Sequence, residues 1–263
     1  MRFSRVAALG VGALLALWIT ACSAGTGTEA SNSTPPSGST FHSAPAPSLS
    51  ASPSPADNSA LSLVVFGDSW GYGAHCNGCT PWPKLLPADY KSSLGVDVTL
   101  TDLSENGGNS ALLVDELKNK PAYRDAIAGA DIVAFNQGIN DLDKTIDPAA
   151  LTDMWTTNLD AMLDVVDELR NGQPTAVRMV GISNEYIDNA GLQGLAKSGH
   201  VIFGAFNDVS CSVAADHGGQ CVDLRPILNG PDGEQPANVN TQESMNAVST
   251  AIAGIGLAEL HVQ

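Results

Sequence analysis

Positive charge is scarce in this sequence: 12 lysines and arginines stand against 28 aspartates and glutamates, a formal net charge of −16. A surface of that sign repels phosphodiester backbones and anionic lipid headgroups, so it has no electrostatic basis for holding nucleic acid or a charged membrane. Long apolar runs are lacking too. The stretch AALGVGALLALWI near the N-terminus is too short to span a bilayer securely. No internal repeat is visible. Cys76-Asn-Gly-Cys79 has no second Cys-x-x-C to accompany it, and its flanks do not read as a helix N-terminus, so it reads as a structural clip rather than a metal or redox centre. Histidine is the scarcest residue able to carry a proton at neutral pH, with five in the chain and none between His217 and His261.

The first residues have the form of an export signal. Arg2 and Arg5 precede the apolar run, which ends at Ile-Thr-Ala-Cys22. A small residue before a cysteine here resembles the bacterial lipobox. Residues 1–21 are therefore expected to be a signal peptide, with Cys22 lipidated at the outer face of the cell membrane or the protein secreted. Residues 22–60 follow as a Ser/Pro/Thr-rich tether that cannot bury enough apolar surface to order itself. As a coil it would span about 35 Å, enough to lift a domain off a membrane. The folded domain is expected over 61–263.

Within that domain four cysteines remain. In an exported chain they are expected to pair by proximity, Cys76 with Cys79 and Cys211 with Cys221, although other pairings are formally open. LSLVVF, VDVTLTDL, DIVAFN, TAVRMVGI and QCVDL read as strands buried on both faces. Helical stretches alternate with them. In the longest, Leu159, Met162, Leu163, Val166 and Leu169 recur at helical spacing and Gly172 is expected to stop it. A further helix is expected from Gly199, and the last is expected to be capped by Thr241. Regular strand–helix alternation predicts a parallel sheet covered on both faces, with ligands beyond the carboxyl ends of its strands.

Three of those ends carry polar punctuation: Phe-Gly-Asp-Ser69 after the first strand, Ser-Glu-Asn-Gly107-Gly108 after the second, and Asn-Gln-Gly-Ile-Asn140-Asp141 after the third. Acyl transfer needs a nucleophile and donors aimed at the oxyanion. Ser69 on a tight turn after Gly67 supplies the first with its own N–H free. A backbone N–H at Gly107 (Gly108 if the turn is shifted by one) and the Asn140 amide supply further donors. Asp68 and Asp141 read as loop-orienting hydrogen-bond acceptors. Taken singly, Asn140-Asp141 could be a helix cap and Asn-Gly-Gly an ordinary turn.

Together, in register on consecutive strands, these motifs resemble the SGNH (GDSL-type) hydrolase family from about Leu61 to the C-terminus. The resemblance implies a three-layer α/β/α sandwich with a five-stranded parallel sheet of flavodoxin-like type. It implies an esterase or lipase acting on an acyl group carried by a lipid, a glycan or a small alcohol. No cofactor and no metal are implied. The expected partner is a small-molecule or glycan ester, the expected state a monomer, and the membrane is reached only through Cys22.

The family's remaining motif, Asp-x-x-His before the last helix, has no histidine here. PDGEQP can be aligned with Asp232 kept and Gln235 at the histidine position. ANVNTQES places Ala237 and Asn240 there instead, and is preferred because the histidine should directly precede the Thr241 cap. Either way the base is missing, since neither Asn nor Gln accepts a proton at neutral pH. His75 beside the CNGC clip and Asp232 are the nearest substitutes. His217, on the turn into the fifth strand, belongs to the opposite edge; His200, His261 and the tether's His42 offer nothing. Two readings follow: an impaired ester hydrolase, or a non-catalytic relative that binds an acyl or glycan ligand. Trp70, Tyr72 and Trp82 flank the expected site, where core packing is their expected role.

Overall fold

The computed structural model describes residues 60–74, 76–142, 147–184, 193–232, 235 and 238–261, with 193–201 by backbone alone. The expected signal peptide, Cys22, the tether as far as residue 59, His75 and Ala237 lie outside them. Five parallel strands, β1 Leu61–Gly67, β2 Val98–Asp102, β3 Ile132–Asn136, β4 Ala176–Val180 and β5 Gln220–Val222, form one sheet in the order β2-β1-β3-β4-β5. The described residues also form α-helices α1 Ser69–Tyr72, α2 Trp82–Leu94, α3 Ser110–Asn119, α4 Pro121–Ala128, α5 Pro148–Arg170, α6 Gln193–Asp216, α7 Arg225–Leu228 and α8 Gln242–Gly254, the last two after β5.

Alternation along each strand divides the core into two layers, because successive side chains point to opposite faces. Val64 and Phe66 of β1 pack with Val133 and Phe135 of β3 under α3, α4, α5 and α6. Leu63 and Val65 pack with Ile132 and Ala134 under α2 and α8. The register sets Phe66 opposite Phe135, and their rings stack at 5.4 Å. Each such side chain, buried from water, contributes roughly 1.5–3 kcal/mol. The α/β/α sandwich expected from the sequence is therefore what forms. The chain turns to β2 on one side of β1 and to β3 on the other, so the switch point lies between β1 and β3, where this topology leaves a crevice.

Local signals act largely as expected. Thr241 caps α8, its hydroxyl accepting from the Ser244 N–H at 3.2 Å. Both expected disulfides are present, Cys76–Cys79 and Cys211–Cys221. Two helix limits differ. Helix α5 is ended by Asn171, at φ 47, one residue before Gly172; asparagine tolerates the left-handed conformation better than other side chains. Helix α6 begins at Gln193 rather than Gly199, since an interior glycine costs a helix only about 1 kcal/mol and does not by itself set its start. Among the described residues no helix is long and apolar enough to cross a membrane.

Candidate active site

The turn after β1 presents Ser69 as the first residue of α1. Asp68 is its N-cap, with a carboxylate oxygen accepting from the Trp70 N–H at 2.9 Å. Ser69 is half-buried, and no described residue bonds its hydroxyl. Gly67 is required by packing: a β-carbon there would lie 2.6 Å from Ser104 Oγ and 3.1 Å from the Gly71 Cα. That same Ser104 hydroxyl accepts the Gly67 N–H at 3.1 Å, while the Glu105 N–H donates to the Gly67 carbonyl at 2.9 Å. The Asp68 N–H in turn reaches the Asn136 carbonyl at 3.0 Å. Backbone bonds thus tie the β2 and β3 exits to the serine turn.

The second exit carries the glycines. Gly107 is exposed, sits at φ +83, and its N–H has no acceptor among the described residues. Gly108 is buried, and its N–H turns back to the Glu105 carbonyl at 3.4 Å. The Asn140 amide donates to the Gly108 carbonyl at 2.7 Å, so the third exit lies directly against this turn. Asp141, buried beside Asn140, accepts from the Ser110 N–H at 3.1 Å and the Trp155 indole at 3.3 Å. Burial raises its pKa, and the Ser110 and Trp155 bonds only partly oppose that. It orients the loop, as does Asp68, in line with the reading from sequence.

The C-terminal segment arrives from across the molecule. The Trp70 indole N–H donates to the Val239 carbonyl at 2.8 Å, which sets Asn240 in the segment lying against the helix of Ser69. Gln235 of the PDGEQP stretch is tied to the β4 exit instead. Asn229, fully buried, donates to the Asn184 carbonyl at 3.1 Å and to the Gln235 carbonyl at 2.9 Å, fastening that turn to the β4 exit. Gln235 folds over Gly230, where a β-carbon would come within 2.4 Å of its side chain, and Asp232 is exposed. The disulfide loop is also fastened here, through the Thr80 N–H and Gln242 Oε1 at 2.8 Å.

His217 lies at the amino end of β5, each ring nitrogen on a carboxylate: Asp167 at 2.6 Å and Asp160 at 3.0 Å. Asp160, Asp164 and His217 are the one His/Cys/Asp/Glu group among the described residues with donor atoms close enough together for a metal, and they stand at the edge of the sheet away from Ser69. His261 caps the 3-10 turn Ala258–Leu260, and His200 is on α6. Trp70 and Trp82 are core residues, as expected. Tyr72, expected in the core, is instead 56% exposed, because a helix of four residues offers only one buried side and Trp70 takes it.

Three contributors are not evident from the motifs alone. Ser104 secures Gly67. Glu105 anchors the glycine turn to the α3–α4 junction through Lys120 at 3.0 Å and the Tyr123 hydroxyl; that hydroxyl and then the Lys120 ammonium hold its carboxyl below the usual range. Gln137 is 4% exposed beside Gly108. Its only sequence signal is that two carboxamides, Asn136 and Gln137, follow one another at the end of a fully buried strand.

The family model of the GDSL-like Lipase/Acylhydrolase family matches residues 65–243. Among solved structures, the fold is similar to the lipase Lip_vut3 from a goat rumen metagenome, with 17% identity, TM-score 0.60, and coverage of 75% of this chain and 98% of that one. It is also similar to TesA, with 21% identity, TM-score 0.53, and coverage of 76% and 100%. A lipase/acylhydrolase from Enterococcus faecalis follows, with 17% identity, TM-score 0.51, and coverage of 77% and 98%. A search of curated proteins finds no significant match. With the family model spanning more than half of the sequence, the chain belongs to the GDSL-like lipase/acylhydrolase family and is by family a hydrolase of the SGNH fold.

Proposed function

We propose that this protein is an exported ester hydrolase scaffold with Ser69 as nucleophile and with the Ser69 N–H, the Gly107 N–H and the Asn140 amide as the oxyanion pocket. Ala237 and Asn240 stand at the positions of the family's Asp and His. The observation that carries this reading is the Trp70–Val239 hydrogen bond, which brings the residue before Asn240 to the helix of Ser69. Gly107 is favoured over Gly108 because its N–H has no acceptor among the described residues.

In the step this geometry serves, Ser69 Oγ bonds to the ester carbonyl carbon while its proton passes to a base. The carbonyl oxygen becomes an oxyanion held by the N–H donors. The C–O bond to the alcohol then breaks, the alcohol leaves with the proton, and water releases the acid from the acyl-serine. Asn240 cannot take that proton. Loss of the histidine base costs a serine hydrolase about 10⁶ in turnover, yet oxyanion stabilisation and binding still leave roughly 10³ to 10⁴ over water. Turnover is therefore impaired, and present service as a surface protein binding an acyl or glycan ligand is the second reading. That reading is favoured by the lack of any described proton acceptor bonded to Ser69. Export with lipidation at Cys22 places the domain outside the cell, at the end of tether 22–60 and as a monomer.

The test compares four proteins on p-nitrophenyl acetate: the unaltered chain, Ser69→Ala, Asn240→His, and Ala237→Asp with Asn240→His. The first two should stay near background. The single variant should gain partly, and the double variant by orders of magnitude, because a placed His restores general-base catalysis and the Asp fixes its tautomer. Robust Ser69-dependent turnover by the unaltered chain would overturn the missing base and direct attention to His75 or Asp232. Binding of an acyl or glycan ester without turnover would favour the second reading. Incorporation of labelled palmitate that Cys22→Ser abolishes is the expected outcome for the anchor.

A further inference from the structure

Gln137 follows buried strand β3 and lies beside the glycine turn, yet no described residue engages its carboxamide. It is 4% exposed, its Oε1 is buried without a hydrogen-bond partner, and no described residue bonds its Nε2. The group lies against the backbone of Gly108, where a β-carbon would stand 3.7 Å from Oε1 and 3.8 Å from Nε2. The Gly108 carbonyl also receives Asn140 Nδ2 at 2.7 Å, so the two carboxamides flank one turn. Asn136 next door also has a buried Oδ1 without a partner, but its Nδ2 donates to the Val180 and Gly181 carbonyls at 3.3 and 3.0 Å and so braces β4, whereas neither end of the Gln137 carboxamide has a partner among the described residues. A buried acceptor left without a donor destabilises the fold, and methionine would fill the same space without that cost. Burying such a group beside a binding site is useful when the ligand supplies the missing partner.

We infer that Gln137 is a specificity-determining residue that reads a free hydroxyl on the substrate, close to the scissile ester. This rests on the assignment of Ser69, Gly107 and Asn140 given above. The chemistry selects the group. Oε1 needs a donor and Nε2 an acceptor, and a hydroxyl is both. The carbonyl and alkoxy oxygens of an ester offer no donor, and neither does an alkyl chain. The substrate class is therefore a partial ester of a polyol, in which an unesterified hydroxyl lies a few bonds from the ester oxygen. A plain alkyl ester of the same length leaves Oε1 unpaired, and a site built to hydrogen-bond a substrate hydroxyl discriminates strongly against the analogue that lacks it.

The test uses a matched pair, glycerol 1-monoacetate and n-propyl acetate, which differ in the two hydroxyls. Acetate release is followed with the full chain carrying Ala237→Asp and Asn240→His, with and without Gln137→Met. The ratio of kcat/KM for the glycerol ester to that for the propyl ester should fall about 100-fold on Gln137→Met, and the melting temperature should hold or rise. An unchanged ratio, or an equal loss on both esters with a lower melting temperature, would overturn the inference and mark Gln137 as structural. Should the base-restored protein hydrolyse neither ester, the catalytic assignment fails on its own. The hydroxyl reading is then decided by ligand-observed NMR on the unaltered chain. Glycerol 1-monoacetate binding weakened about tenfold or more by Gln137→Met supports it, and equal binding by both proteins overturns it.

Discussion

The indole N–H of Trp70 donates to the carbonyl of Val239 at 2.8 Å, across 169 positions of sequence, and both residues are buried. This bond joins the turn that carries Ser69 to the segment that carries Asn240. Trp70→Phe keeps an aromatic ring but leaves the Val239 carbonyl without its donor, which should cost about 1–3 kcal/mol of stability. Urea denaturation measures the loss. In a chain carrying Ala237→Asp and Asn240→His, the same change should lower kcat more than it raises KM, since it frees the base segment and leaves the oxyanion donors in place.

Gly67→Ala should destabilise the fold by about 1–3 kcal/mol through overpacking, because the new methyl meets Ser104 Oγ at 2.6 Å. Adding Ser104→Gly should recover only part of the loss, since the Gly71 Cα at 3.1 Å still opposes the methyl and the Gly67 N–H loses its acceptor. Thermal unfolding of the single and double variants checks this. Full recovery by Ser104→Gly would show that Gly71 does not constrain the turn.

Arg178 is fully buried on interior strand β4 and meets Glu259 at 2.8 Å. Burial would raise the Glu259 pKa, but the Arg178 guanidinium more than offsets it and holds the carboxyl below 4.5. The folded pKa is thus depressed. The stabilisation is present above the unfolded value and lost as pH falls through the folded one. Glu259→Gln should flatten stability against pH on that acid side. Glu259→Ala should cost about 3 kcal/mol near pH 7, because it strands a buried charge. Chemical denaturation across pH 3–7 distinguishes the two.

His217 places a ring nitrogen on each of Asp160 and Asp167, and both bonds need the doubly protonated ring. Burial would lower its pKa, yet the carboxylates of Asp160 and Asp167 outweigh burial and raise it. With the folded pKa raised, this stabilisation is fully present below the unfolded value near 6.5 and is lost as pH rises through the folded one. Stability of the unaltered chain should therefore decline from pH 6 toward 9 more steeply than that of His217→Asn. A variant with the same slope would remove His217 as the titrating group.

Much of the architecture was legible in the sequence because its causes are local. Strand periodicity is a property of successive residues, and so is the Thr241 cap. The order of Gly-Asp-Ser, Asn-Gly-Gly and Gly-Ile-Asn-Asp along alternating elements then placed three motifs at one edge of the sheet, because parallel strands share a direction. Cysteines ten residues apart at Cys211 and Cys221 needed no long-range information to pair. Tyr72 was misjudged for the converse reason: burial depends on which side of a short helix the rest of the molecule covers.

Tertiary structure alone decided the contacts between distant segments. PDGEQP and ANVN both align with the last motif as strings, the second preferred only for its place before Thr241. Asn229 holds the first at the β4 exit while Trp70 holds the second beside Ser69. Gly107 and Gly108 are identical as residues, and only the turn directs one N–H back to Glu105 and leaves the other without an acceptor among the described residues. Arg178 is a cation in an otherwise apolar strand, and only folding brings it Glu259 from 81 positions away. Gln137 is a polar residue at a strand end, and only packing buries its Oε1 without a partner among the described residues. Hydrogen bonds and close packing act over a few ångströms in space, and sequence distance carries almost no information about which buried groups the fold will bring that close.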